Sequence, residues 1–166
     1  LIGEPVRTGD PICHMIRFGN PLATSGTTVK RELMISIGGF DEGQGAPLVE
    51  DFDAWLRLAA NGAKLYYVPE VLGTYWAGSD QISTFNARQF EFQRNLFRRQ
   101  LELLPPKYRA KAQSNFGYML GSYALALGFP DAETYFSDVR ITEEPLRWLK
   151  AQVKIWRARG KGERSR

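Results

Sequence analysis

One cysteine, Cys13, and one histidine, His14, stand in a chain of 166 residues. That scarcity excludes an internal disulfide framework and any multi-cysteine zinc site, and it points to a reducing compartment, so a cytoplasmic location is the expectation. No apolar run approaches the roughly 18 residues that a membrane-spanning helix needs. Leu1-Ile2-Gly3 is neither a charged-then-apolar signal peptide nor a start methionine, and it reads as a cut. Cys13 and His14 are neighbours, and on an extended segment they would point to opposite faces. With no third partner evident, they read as filler rather than as a ligand or nucleophile pair.

What is present is an ordinary globular composition, 43% hydrophobic and 24% charged, enough for one core. The charge is uneven. Residues 147–166 hold Arg147, Lys150, Lys154, Arg157, Arg159, Lys161, Arg164 and Arg166 against Glu163 alone, so of the total of +4 the tail carries +7 and the remainder −3. Basic arms of this kind go to anionic membranes, nucleic acid or acidic partners.

Along the chain, residues 1–22 are rich in Gly and Pro and read as loop and short strand. Thr24 to Val29 suits a strand or turn, and Lys30 to Ile37 a short helix stopped by Gly38-Gly39. In Glu50 to Gly62, Phe52, Trp55, Leu56 and Ala59 recur at i, i+3, i+4 and i+7 behind three acids, which predicts an amphipathic helix. Lys64 to Val68 and Val71 to Trp76 read as strands, before a polar loop at 77–81. Beyond Thr84 helices are expected at Asn86–Leu104, Pro106–Gly128, Asp131–Val139 and Glu144–Arg159. Gly117, Gly121 and Ala124 offer close-packing spots for a neighbouring helix. The expected class is α/β followed by a helical extension: 1–83 as one part, 84–145 as a helical appendage, 146–166 as a basic amphipathic tail.

Five blocks in residues 20–83 carry a resemblance. They are Asn20-Pro21 with Thr24-Ser25-Gly26 before Val29-Lys30-Arg31-Glu32; Gly38-Gly39-Phe40-Asp41-Glu42; Glu50-Asp51-Phe52-Asp53-Ala54-Trp55-Leu56-Arg57-Leu58; Gly62 with Tyr67-Val68-Pro69-Glu70-Val71-Leu72; and Tyr75 through Ser83. In this order they resemble the C-terminal half of the family 2 glycosyltransferases, the inverting nucleotide-sugar enzymes of the GT-A fold.

The resemblance implies the acceptor-side, α/β portion of a GT-A domain. It implies a nucleotide-sugar donor, a UDP sugar by expectation, and a saccharide or lipid-linked acceptor of cell-envelope or polysaccharide type. It makes Asp51 the general base that takes the acceptor proton. It puts Thr24, Ser25, Gly26, Gly39, Phe40, Asp41, Glu50 and Trp55 at the substrates, and it calls for a divalent metal, Mg²⁺ or Mn²⁺, in the complete enzyme. No metal is assured for this chain, because the family's metal-binding Asp-x-Asp lies in an upstream half absent from these residues. Asp51-Phe52-Asp53 spells that pattern but stands in the position of the base. Many relatives carry a histidine where Gly78 stands here. Asp80 is either a substitute oxygen ligand or a polar loop residue.

Read without the resemblance, Glu50, Asp51 and Asp53 are first-turn acids, each favourable by roughly 0.3–1 kcal/mol at a helix N-terminus. Thr24-Ser25-Gly26 is then an ordinary turn. The same chain then reads as an inactive, truncated relative serving as an interaction module. In the tail, Leu146, Leu149, Val153 and Trp156 share one stripe among cations. That pattern fits a helix docked on the preceding hairpin, or one lying on an anionic membrane at the inner face. No nucleic-acid-binding module is recognised.

Overall fold

The structure is a computed structural model that describes residues 10–43, 49–74 and 86–163. Among them every regular element is helical: α1 (Pro11–Phe18), a 3-10 turn (Thr24–Gly26), α2 (Arg31–Ser36), α3 (Glu50–Ala60), α4 (Ala87–Leu103), α5 (Pro106–Ala126), α6 (Ala132–Phe136) and α7 (Pro145–Glu163). No strand or sheet forms among the described residues, so the expected α/β class, the sheet-bearing portion of a GT-A fold, is corrected to all-helical. Val71 to Trp76 and the block from Tyr75 to Ser83, with Gly78 and Asp80, lie wholly or partly outside the described residues, as does Leu1-Ile2-Gly3.

The correction has a physical basis in two stretches of the chain. Residues 64–68 and 71–74 have strand-like composition but form no ladder with the described residues, and all but the half-buried Leu65 are exposed, Tyr66 at 84% and Val71 at 89%. A strand exists only when a neighbour takes its backbone groups, whereas a helix satisfies its own. Near the N-terminus, the Gly and Pro residues punctuate a helix instead of preventing one. Asp10 caps α1, its carboxylate accepting from the Ile12 N–H at 3.0 Å and the Cys13 N–H at 3.4 Å. Pro11 occupies the first helical position, where a missing N–H costs nothing. Ile12, Met15 and Ile16 then share one buried face. Cys13 and His14 are therefore helical neighbours, with His14 buried and its ring 4.9 Å from that of Phe18.

The chain divides into two compact units, 1–108 and 109–166. In the first, α3 is the central element. Phe52, Ala54, Trp55, Leu56, Leu58 and Ala59 are all buried on it, beyond the stripe the periodicity gives. Both α1 and α4 pack against it. On α4 and its C-cap residue, Phe90, Phe97 and Leu104 recur at seven-residue spacing with Leu96 beside them, all buried, and the Phe97 ring meets Phe52 edge-on at 6.4 Å. By contrast, α2 has no buried residue. It ends at Gly38 and Gly39, whose φ of 76° and 75° lie in the left-handed region that favours glycine. Their N–H groups donate to Ile35 O and Met34 O, closing the helix.

In the second unit, Phe136, Val139 and Ala151 form a buried cluster flanked by Tyr118, Leu125, Trp148 and Ile155. Helix α5 meets the segment 135–138 at its two glycines. A Cβ on Gly117 would come within 2.7 Å of the Tyr135 carbonyl and of Asp138 Cβ, and one on Gly121 within 2.8 Å of the Phe136 ring. Glu144 is buried beside Asn115, which donates to it through Nδ2 at 3.2 Å.

Gly117→Ala should therefore lower stability by about 1–3 kcal/mol through overpacking, even though alanine is the better helix former by roughly 1 kcal/mol. Gly160→Ala, at a helical site with nothing among the described residues within 4 Å of the added carbon, should be neutral or slightly stabilising. Urea denaturation of the two variants beside wild type checks the contrast; equal effects would show that close approach does not govern position 117.

Candidate functional site

The site is organised around two carboxylates on one turn of α3. Asp53 is fully buried. One of its oxygens accepts from Arg57 Nε at 2.7 Å; the other accepts from Gln100 Nε2 at 2.6 Å and pairs with Arg99 Nη2 at 2.7 Å. Burying an isolated carboxylate costs several kcal/mol, so it persists only with such pairing. The two guanidiniums then reach outward. Arg57 donates to the carbonyls of Ile37 at 2.5 Å and Gly39 at 2.8 Å, while Arg99 also pairs with Asp41. The loop after α2 is thus fastened to α3 and α4 through one buried anion.

Asp41 closes the network at the surface. The Gly43 N–H at 2.9 Å and, after it, the Arg99 guanidinium hold its carboxyl below the ordinary aspartate value of 3.8, against the opposing effect of partial burial. A cleft of about 320 Å³ opens here, lined by Gly38, Gly39, Phe40, Asp41, Arg57 and Arg99 among others. Phe40 also meets Trp55 edge-on at 6.0 Å.

Asp51, two residues before Asp53, faces outward and is partly exposed. Its Oδ1 accepts from the Phe52 N–H at 2.6 Å, and its Oδ2 accepts from the Thr24 hydroxyl at 2.9 Å. That bond joins the turn at 24–26 to the start of α3 across 27 residues of chain. The turn itself is held by the Gly26 N–H donating to Ala23 O at 2.9 Å and the Thr27 hydroxyl to the same oxygen at 2.8 Å. Ser25 and Gly26 are exposed, and nothing among the described residues lies within 4 Å of a Cβ added to Gly26. Two further polar atoms near the start of α3, Glu50 Oε2 and Trp55 Nε1, are sequestered from solvent without a hydrogen-bond partner among the described residues.

The structure thus joins Thr24 to Asp51, and Gly39, Phe40 and Asp41 to α3 through Arg57, Arg99 and Trp55. Among the described residues no hydrogen bond joins the Ser25 side chain to the rest of the site. The Arg57 contact was readable in principle, since Asp53 and Arg57 are an i, i+4 pair. Arg99 and Gln100, more than forty residues away in sequence, leave no local signal.

A divalent metal does not fit the described residues. Asp53 has its lone pairs engaged by two guanidiniums and an amide, and no three of His, Cys, Asp and Glu converge as a donor set among the described residues. No metal step is assigned to them. No family model, no curated protein and no solved structure matches the chain.

Two outcomes are expected of the network. Asp53→Ala removes the buried anion that Arg57 and Arg99 share, leaving Asp41 to pair with Arg99 alone, and should cost about 3 kcal/mol, read by urea denaturation, while Asp51→Asn stays within about 0.5 kcal/mol of wild type as a change at a partly exposed position does. Because the Asp41 carboxyl is lowered on folding, its contribution is complete above pH 3.8 and is lost as pH falls through its lowered value. The stability difference between wild type and Asp41→Asn should hold constant above about pH 5 and shrink below pH 3.8; growth of that difference on acidification would reverse the assigned sign.

Proposed function

We propose that residues 20–62 form the acceptor side of a glycosyl-transfer site, with Asp51 as general base. The observation that carries the reading is the hydrogen bond from the Thr24 hydroxyl to Asp51 Oδ2 at 2.9 Å. It brings together two motif blocks that the resemblance assigns to one site. The reading draws on this local geometry and on no sheet.

The chemistry asked of Asp51 is simple. An acceptor hydroxyl attacks the anomeric carbon of a nucleotide sugar; the new C–O bond forms as the bond to the diphosphate breaks, with inversion, and the hydroxyl proton passes to the carboxylate. A fixed base supplies about 10²–10⁴-fold of rate when it lies within hydrogen-bond reach of the proton. Thr24 fixes one oxygen of Asp51 and so orients the other lone pairs, which is a positioning role. The network below holds the loop at 37–41 to the same helix, so the base and the loop beside the cleft keep one geometry. Among the described residues the Trp55 N–H and Glu50 Oε2 have no hydrogen-bond partner, which supports a polar occupant near the start of α3, because sequestered polar atoms without partners are costly. The donor is a nucleotide sugar, a UDP sugar first among candidates, and the acceptor a saccharide or lipid-linked hydroxyl.

Transfer from a UDP sugar to a hydroxyl acceptor should fall by about 10²–10⁴-fold in kcat in Asp51→Asn with the circular dichroism unchanged, and by a smaller factor in Thr24→Val, measured on the complete polypeptide. Transfer retained within a few fold in Asp51→Asn removes Asp51 from the chemistry. A folded chain silent to millimolar UDP in titration calorimetry would favour an interaction module.

A further inference from the structure

Helix α7 carries two apolar faces, and the chain covers one of them. Ala151 is buried, and Trp148 and Ile155 pack with it against Phe136 and Val139. Leu146, Leu149, Val153 and Trp156 do not dock there. They stand in solvent, Leu146 at 66% and Trp156 at 73% exposure. At 100° per residue these four span an arc of about 80° on the outer side of the helix. Lys150 and Arg157, both exposed, lie within about 40° of Leu146 on one flank of that arc.

The cations divide in the same way. Lys154 donates to the Ser122 hydroxyl at 2.7 Å and lies over the Tyr118 ring, and Arg147 lies over the same ring at 5.0 Å. Arg159 forms two bonds to Glu133, at 2.9 and 2.6 Å. These three serve the inner side of the helix. Lys150 and Arg157 are in none of those contacts and border the apolar arc.

We infer that the outer face of α7 docks on an anionic lipid surface, with Leu146, Leu149, Val153 and Trp156 entering the interface and Lys150 and Arg157 meeting the headgroups. Charge and shape favour this occupant. The arc is the outer side of a single helix. Its tryptophan has an apolar body and an N–H suited to the headgroup level, and its flanking charges are both positive. Such a helix lies in the plane of the membrane, and no helix among the described residues is long and apolar enough to cross one.

The test is sedimentation of the full chain with vesicles of equimolar phosphatidylcholine and phosphatidylglycerol, beside vesicles of phosphatidylcholine alone, at about 0.02 M and about 0.5 M salt. The anionic vesicles should bind at least tenfold more tightly at low salt, and the advantage should vanish at high salt. Lys150→Gln with Arg157→Gln should weaken binding by about 25-fold, roughly fivefold for each cation removed. Leu149→Ser with Trp156→Ser should weaken it by at least tenfold. All four positions are exposed, so helicity by circular dichroism should be unchanged. Absence of sedimentation with anionic vesicles at low salt overturns the proposal, as does binding that survives the Leu149 and Trp156 changes in a folded chain. A doubling of mass by light scattering that those changes abolish would assign the face to a second copy instead. None of these readouts depends on Asp51 or on sugar transfer.

Discussion

The first unit depends on a buried anion. Asp53 has no contact with water, and a carboxylate so placed would protonate or unfold its surroundings if its neighbours did not supply charge and donors. Arg57, Arg99 and Gln100 supply both. Because each guanidinium has more donors than Asp53 can accept, the surplus is directed outward, to the carbonyls of Ile37 and Gly39 and to Asp41. That surplus lets a helix with no buried residue, α2, end in a loop of fixed position. The packing of α4 on α3 and the position of the cleft loop are therefore a single constraint. Moving the loop would strand a cation, and moving α4 would strand the anion.

Asp51 and Asp53 show how two residues of one type diverge on one helix. Successive side chains on α3 are 100° apart, so a step of two carries Asp51 to the outer side while Asp53 turns into the core. Asp53 is enclosed in the core and saturated by two guanidiniums and an amide. Asp51 is held by one hydroxyl and one backbone N–H and remains accessible. Orientation alone leaves the first carboxylate accessible and makes the second architectural. The pattern Asp51-Phe52-Asp53 shows the two acids but not this division.

Much of the helical part was legible because helices are local. The stripe of Phe52, Trp55, Leu56 and Ala59, the stop at Gly38-Gly39 and the small residues Gly117 and Gly121 each act through neighbours a few positions away or through one close contact. The reading failed where the outcome was set by something other than composition. Pro11 and Gly19 mark the two ends of α1, yet their frequency in the region argued for a loop; the decisive residue was Asp10, whose carboxylate takes the first free N–H groups. Tyr66, Tyr67 and Val68 have the composition of a strand, but composition supplies no partner, and without one the side chains stand in water. In the site, Thr24 and Asp51 could be named in advance, whereas Arg99 could not, since an arginine on a polar helix face looks the same whether it is solvated or paired with a carboxylate 58 residues away.

The same limit applies to charge. Counted along the chain, residues 147–166 are a basic arm of +7, a quantity that invites the picture of a free, solvated tail. In the fold, the described part of that segment is helix α7, docked through Ala151, Trp148 and Ile155, and three of its cations are engaged on its inner side. Net charge therefore overstates what the helix offers to a partner, while the apolar count understates it. Leu146, Leu149, Val153 and Trp156 would be assigned to the core by their stripe, and they are the ones left outside. A helix with two apolar faces reads in a moment or a wheel as one broad hydrophobic surface. Which face is covered is decided by geometry: Ala151 is small enough to bring the backbone of α7 close to Phe136 and Val139, and that approach turns the larger side chains of the opposite face outward.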